Sequence, residues 1–532
     1  MIESLEQRAL FSSYFISAAG SDANDGSASF PWATLGRVNA ADLEPGDTVS
    51  LRGGDSFGGT LLLDASDSGT ATAPVTIGSY GTGRATILAG GGDGISGLNA
   101  FGFDISDLNV LGSGTQAPQQ ASGIEFETNL GGNVKLPHVH VANVDVGGFG
   151  KYGITVGGSN GKSGFDDVRV EYVNVHDNLL GGVETHGVFS STATGYANTN
   201  VYVGHAQVHH NPGYANSPNH SGDGIVLSDA DGVVIERSEA FENGARNTHV
   251  GGPVGIWVWD VNNALIQNNE SHHNKTASTA DGGGFDFDGG VTNSVMQYNY
   301  SHDNAGAGYG IYQFQGARPL GNLTVRYNLS VNDARKNGYG AIDFWNGNGG
   351  NGVKNVDVYN NTVYLTPAAG SSPKALRFTT GTTNVSIRNN VFQTTGGVQL
   401  AEIQAKQTNL QIQGNDYWST GAAFSLKVFA KTYSSFSAYV SGSGHEKLNG
   451  VVVGKNVNPG LVNPGVVPTV GVANIDALET SVDGFKLAAT SPVRNAGLNL
   501  LSTFGINPGT RDFFGDALPG DGKTDIGADE VV

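Results

Sequence analysis

The chain has 532 residues, a formal net charge of −20, no cysteine, 81 glycines and only 14% charged residues. The negative balance excludes a groove of clustered Lys and Arg, and with it a nucleic-acid partner, and it disfavours an anionic membrane surface. Without cysteine there is no disulfide framework and no thiolate metal site, and no apolar run is long enough to span a bilayer.

Residues 1–12 read as the remnant of a leader. Ser4-Leu5-Glu6-Gln7-Arg8-Ala9-Leu10 resembles the short Leu-Glu-x-Arg segment ahead of many exported bacterial proteins. The expectation is a secreted, extracellular bacterial protein, acting as a monomer. Residues 13–90 form an N-terminal cap with the first coils. Phe15-Ile16-Ser17 reads as a strand and Gly20 to Gly26 as a tight polar turn. A cap is needed because an uncovered first coil exposes apolar interior and unpaired strand edges.

Residues 91–430 carry an internal repeat. Ser238, Asn269, Asn299, Asn328, Asn361, Asn390 and Asn415 each follow by three an apolar residue: Ile235, Ile266, Met296, Val325, Val358, Ile387 and Ile412. The spacing of 25 to 33 residues falls in the window of solenoids. Asn tolerates the left-handed conformation of a sharp bend, and stacked Asn side chains can bond to each other along the axis. A second column, from Gly153-Ile154 through Gly284-Phe285 and Gly310-Ile311 to Ala375-Leu376, opens a short strand in each repeat. Each repeat is therefore one turn of an all-β, single-stranded parallel β-helix, with three strands per coil. Residues 431–532 lose the repeat and are expected to pack back on the last coils as a second cap.

Pro31-Trp32-Ala33-Thr34-Leu35, the central coils, and the run from Asp512-Phe513-Phe514-Gly515 through Gly520-Asp521-Gly522 to Ala528 together carry a family likeness. The chain resembles the right-handed parallel β-helix enzymes of polysaccharide degradation, with the pectate lyase family nine type as the nearest pattern. The resemblance implies a right-handed helix and a carbohydrate substrate. It does not choose the reaction, because one scaffold hosts many chemistries.

Alternation along the first strand turns every second residue outward. Coil by coil this column reads Thr155, Glu184, Val226, Trp257, Asp286, Tyr312, Asp343 and Arg377. The next outward column reads Gly157, His186, Ser228, Trp259, Asp288, Phe314, Trp345 and Thr379. Three of the five Trp fall in this patch, where an ordinary solvent face would carry Ser, Thr, Lys or Asn. The rings of Trp257, Trp259, Tyr312, Phe314 and Trp345 suit the apolar faces of sugars. Asp286 and Asp288 lie about 6.8 Å apart at Cα, and Asp343 is two rungs from Asp286, roughly 10 Å away. Hydrolysis of a glycosidic bond needs two carboxyls about 5 to 9.5 Å apart. Asp286 and Asp288 are the first candidates for that pair and Asp343 the third. A second reading stays open, in which Asp281, Asp286 and Asp288 bind Ca²⁺. Longer loops before the first strands supply Arg246, His249, Lys275, Asp281 and Lys336 as cleft walls, with Arg377 on the strand. His176, His272 and His302 share one repeat position with Phe241, so they read as a stacked aromatic row rather than a metal site.

The leading expectation is a glycoside hydrolase on a polysaccharide or oligosaccharide, requiring no cofactor. The alternative is a Ca²⁺-dependent lyase, or a related epimerase, on a uronate polymer. Ala280-Asp281-Gly282 leading into Gly284-Phe285 resembles the Ala-Asp-Gly-Phe stretch of family nine pectate lyases, but Asp288 stands where that family carries its catalytic Lys. The Pro-His-Glu of mannuronan epimerases and the polygalacturonase motifs are missing. A third reading is a non-catalytic carbohydrate-binding solenoid, which gives no reason for adjacent acids among the rings.

Overall fold

The computed structural model describes residues 11–114, 121–347, 352–519 and 523–531. The leader-like segment 1–10 and the Gly520-Asp521-Gly522 run lie outside them. The fold is a right-handed parallel β-helix, as expected. The chain divides into two compact units.

The first unit holds residues 1–175, 186–188 and 197–202. Its opening strand Ser13–Ile16 runs parallel to Thr48–Arg52, which in turn pairs with Val75–Tyr80. The one-turn helix Leu35–Val38, capped by the Thr34 hydroxyl, buries Leu35 and Val38. Trp32 is buried beside it, stacked on Tyr14 at 4.7 Å with Arg37 over its ring at 4.1 Å.

The second unit holds the rest, and its coils repeat the pattern the sequence sets out. One coil reads Gly283–Phe287, Thr292–Gln297, Tyr300–His302. Ile266, Met296, Val325, Val358, Ile387 and Ile412 stand in register on successive rungs, all buried inside the helix. The Asn column is an axial chain of amides. Nδ2 of Asn269 donates to Oδ1 of Asn299, and the link repeats through Asn328, Asn361 and Asn390 to Asn415 at 2.9–3.1 Å. These Asn are buried and do not themselves take the left-handed conformation. That falls to the residue before each: Asn268, Tyr298, Tyr327, Asn360 and Asn389 have φ of 48–57°. The bend turns one residue earlier, so the amide points inward and satisfies backbone groups that bending strips from the ladder. A further amide chain, Asn178, Asn211, Asn243, Asn274 and Asn304 to Asp333, lines the following corner.

The C-terminal region does two jobs. The helix Phe436–Ser443 and Glu446 close the last coil, with Tyr439 against Tyr417 and Glu446 ending the amide chain at Asn415. From about Leu461 the chain leaves the end and runs along the flank. It bonds side chains of Glu239 and Glu270 near one extreme and Asn389 near the other. Tyr298, Tyr300, Tyr327 and Tyr359 pack there on Ile475, Phe485 and Phe513. The segment to about residue 457 packs on the last coil, and the described residues beyond it run across many rungs as a strap.

Candidate active site

The strand Gly283–Phe287 turns Phe285 and Phe287 into the helix, so Asp286 and, just beyond, Asp288 point the other way. On the preceding rung Trp257 stands opposite Asp286. The following rungs place Gly310 opposite Asp286, Asp343 opposite Gly310, and Arg377 opposite Asp343. Here the structure differs from the expected columns. Gly310-Ile311 resembles the other strand openings, but the first inward residue is Tyr309, whose hydroxyl donates inside the helix to backbone carbonyls of Asn299 and Leu329. The strand is thus two residues ahead of the sequence reading. Tyr312 moves to the second column opposite Trp345, and Phe314 falls past the strand end. Gly310 has a steric reason: a Cβ there would meet the Tyr312 ring at 2.7 Å and Asp286 Oδ1 at 2.9 Å. Tyr312 folds back over this gap between the two Asp rungs.

Trp257, Asp286, Tyr312 and Arg377 help line one cavity of about 460 Å³, whereas Asp343, fully buried, is not part of the lining. The cavity floor is Trp257, Asp286, Asp288, Tyr312 and Arg377, and its walls are the loop segments His249–Gly252, Ala280–Asp281 and Tyr339. No residue of the C-terminal strap contributes to the lining. The surface is less open than alternation alone suggests. Trp257, Asp286, Tyr312 and Asp343 are buried, and Asp281 and Asp288 are half-buried. Trp345 is 40% exposed and forms the rim.

The acids differ in their partners. Asp281 accepts from the backbone N–H of Gly252 at 2.6 Å, and its own N–H donates to the Tyr339 hydroxyl. Asp288 accepts from Gly289 N–H at 2.7 Å. Asp343 accepts from Gly340 N–H and from Arg377 Nε, through one oxygen. Asp286 Oδ1, Asp343 Oδ1 and the Tyr312 hydroxyl have no hydrogen-bond partner among the described residues. Burial pushes the Asp281 carboxyl up to about 7, against the Gly252 bond, with the Asp288 and Asp223 charges adding to the rise. Burial raises Asp288 to about 6, with the Gly289 bond and the charge of His220 holding it back. Asp286 is driven well above the usual range by burial, then by Asp288, Asp281 and Asp343. Burial also raises Asp343, although Arg377 pulls the other way.

Several expected residues stand elsewhere. Arg246 is exposed and off the cavity. Lys275 pairs with Glu242, and Lys336 donates to the Thr276 carbonyl at 2.6 Å, so neither enters the site. Their loops do form the walls, but through His249, Gly252 and Tyr339. Trp259 sits beside the cavity, packed on Phe189 and Phe314 at 5.7 and 6.1 Å. The sequence reading missed Tyr339, over which the Arg377 guanidinium lies at 4.5 Å. It also missed Asp223, which takes a hydrogen bond from Trp257 Nε1 and pairs with His220 at 2.7 Å. The only hint of Tyr339 was an aromatic residue ahead of a Gly-opened strand.

Oxygens bound to one Ca²⁺ lie within about 5 Å of each other. The groups of described residues whose ligand atoms come within 4.8 Å of one another are Asp104 with His138 and His140, Glu270 with His272 and His302, and Asp512 with Asp516 and Asp529. Asp281, Asp286 and Asp288 as placed do not form such a group, so they do not fit a shared cation. The histidine row stacks as expected: His176, His209, Phe241, His272 and His302 follow at ring distances of 4.7–5.3 Å.

Comparison with known proteins places this geometry. The family model described as "Right handed beta helix region" matches residues 219–363, which include the cavity floor up to Tyr312. A lacto-N-biosidase of Bifidobacterium longum subsp. longum is 25% identical over an alignment covering 97% of this chain and 36% of the relative. The chain thus spans about a third of the length of that relative. The crystal structure of a GH136 lacto-N-biosidase from Eubacterium ramulus superposes with a TM-score of 0.53 at 19% identity, over 75% of this chain and 67% of that one. A pectate lyase, Pel9A, gives 0.45 at 17% identity, over 98% and 96%. The resemblance to right-handed β-helix, carbohydrate-active proteins that the sequence carries is present in the fold as well.

Proposed function

We propose that the protein is a glycoside hydrolase whose acid–base pair is Asp281 and Asp288. The observation that carries this is one aromatic-lined cavity holding two accessible carboxyls with unequal, raised pKa values. Near pH 6.5 Asp281 keeps its proton and can donate it to the leaving oxygen, while Asp288 is ionised and can activate water or attack the anomeric carbon. Asp286, 3% exposed, is held protonated by its burial and by the neighbouring Asp288, Asp281 and Asp343, so it lines the cavity as a neutral carboxyl. Trp345 and Trp257 bracket the sugar rings. A cavity of this size suits a short sugar segment rather than a long bound chain.

The lacto-N-biosidase relative suggests the first substrate to try: a chromogenic glycoside or oligosaccharide capped by lacto-N-biose. Uronate polymers belong in the same panel. Elimination requires a cation to neutralise the uronate carboxylate. Arg377, the guanidinium among the described lining residues, is already paired with Asp343. New reducing ends without absorbance from unsaturated uronates, unaffected by a chelator, support hydrolysis. An absorbance rise lost with chelator would replace it by the lyase reading, and sugar binding without turnover by the non-catalytic one. The pH profile should be a narrow bell. Activity falls below about 6 as Asp288 gains a proton, and above about 7 as Asp281 loses one. A profile flat from pH 5 to 8 would remove this pair. No helix of the described residues is long and apolar enough to cross a membrane. A monomer acting outside the cell completes the reading, to be checked by light scattering and by fractionation of producing cells.

A further inference from the structure

One corner of the coils from Gly102 onward, just before the second strand, is held in the left-handed conformation. In the second unit it is occupied by Gly232, Asn263, Asn293, Asn322, Asn355, Asn384 and Asn409 in register, with φ of 52–77°. Asn and Gly are the residues that tolerate this backbone. In the first unit the same corner carries Gly102, His138, Asp167 and Asn200. In one of these coils the corner residue is His138, at φ 65°. The next residue pointing the same way is also a histidine, His140, and the two rings lie 3.8 Å apart at their centroids.

A carboxylate stands at each end of this pair. Asp104 Oδ1 is 2.9 Å from His138 Nε2 and 3.5 Å from His140 Nδ1. Asp167 Oδ2 is 3.3 Å from His138 Nδ1 and 3.1 Å from His140 Nε2. Zinc bonds imidazole nitrogen and carboxylate oxygen at about 2.0–2.2 Å, so ligand atoms around a tetrahedral ion sit about 3.3–3.5 Å apart. At the Asp104 end the two nitrogens stand 2.9 and 3.5 Å from one oxygen, and all three ligand atoms lie within 4.8 Å of one another, so a small adjustment admits the ion. The Asp167 end has what metal-bound imidazoles require of their other nitrogen, an oxygen that accepts the N–H and fixes the ring. Asp167 is itself held by Arg169 Nε at 3.3 Å. The partial exposure of Asp104 and His140 leaves a way in for the ion and a fourth place for water.

We infer that His138 Nε2, His140 Nδ1 and Asp104 Oδ1 form a binding site for a divalent transition metal of the zinc class, with Asp167 as the positioning residue behind both imidazoles. Two imidazoles and one carboxylate select zinc, nickel or copper over calcium and magnesium, which take oxygen ligands. The site lies within the first coils and is independent of the sugar-cleaving reading.

The test is calorimetric titration of the chelator-treated, desalted full chain with ZnCl₂. The wild type should take up one Zn²⁺. Asn occupies this corner in other coils, so His138→Asn removes a ligand while keeping the bend. Its metal-free melting temperature should match the wild type. His140→Gln removes the second ligand from the face of a strand. Each should weaken Zn²⁺ binding at least tenfold, and Asp167→Asn should weaken it without changing the stoichiometry. No uptake by the wild type, or wild-type affinity in either histidine variant, overturns the site. The buried Glu270–His272–His302 group is untouched by these changes, so binding there shows as affinity retained in the variants.

Discussion

Two groups of buried acids in the second unit are treated in opposite ways. On the flank, Glu270 accepts from the backbone N–H groups of Val470 and Gly471 and from the His302 ring at 2.6–3.1 Å. Glu239 accepts from Gln207, His272 and the N–H of Val472. Those bonds hold Glu239 below its ordinary pKa although burial works against them. Asp286 in the cavity and Asp343 beneath it, two rungs on, are as deeply buried, yet each keeps an oxygen with no partner among the described residues, and burial drives both upward. Stability alone produces the first arrangement. A buried polar atom left unsatisfied costs about 1–3 kcal/mol, a cost the second arrangement carries and the first does not.

The sharpest way to break this contrast is substitution in the cavity. Asp288→Asn and Asp281→Asn should each lower kcat by about 10³-fold with little change in melting temperature, since each removes a proton-transfer group and keeps the shape. Turnover within tenfold of wild type in either variant would move the chemistry to other residues. Glu270→Ala should do the reverse. It leaves His302 charged and buried with a lost partner, and should destabilise by about 3 kcal/mol while the remaining folded protein turns over normally. Burial opposes the His302 charge, but bonds to Asp303 and Glu270 raise its pKa to about 9. A raised pKa stabilises below the unfolded value near 6.5 and is lost as pH rises through about 9, so the Glu270→Ala penalty should shrink above pH 9. Asp286→Asn should stabilise by about 1–2 kcal/mol at pH 8, because it removes a buried carboxylate. A carboxyl whose folded pKa is raised loses stability as pH climbs from its ordinary value of 3.8 toward the folded one, so the gain should shrink on acidification and vanish near pH 3.8. A gain independent of pH, read by thermal melts, would contradict an uncompensated charge. Smallest is Trp345→Ala at the rim, which should raise KM about tenfold and leave kcat within threefold if the ring only holds sugar.

Much of the fold was legible because a solenoid writes each rung again. The interior column from Ile266 to Ile412 and its Asn companion recur at an interval that leaves one architecture. Register at the site was less legible. Tyr309-Gly310-Ile311 and Gly284-Phe285 share a Gly-apolar step, and only the buried hydroxyl of Tyr309, bonded inside the helix, shows which residue faces in. The aspartates themselves could be placed because their strand alternates with Phe285 and Phe287. The walls could not, since loop residues have no period: Arg246, Lys275 and Lys336 carry the obvious charges and point away, while Tyr339 and the Gly252 N–H do the contacting.

The strap from Leu461 to the end changes what kind of object the second unit is. A stack joined only by nearest neighbours can fray from its exposed rung inward, each coil letting go in turn. Here the described residues of the strap are riveted at Arg237 and Glu239, at Tyr298 and Arg326, and at Asn360 and Asn389. Loosening any of these coils means peeling away the tie that also grips the others. The cavity floor belongs to coils inside that span, so the acids inherit a rigidity that no single rung supplies.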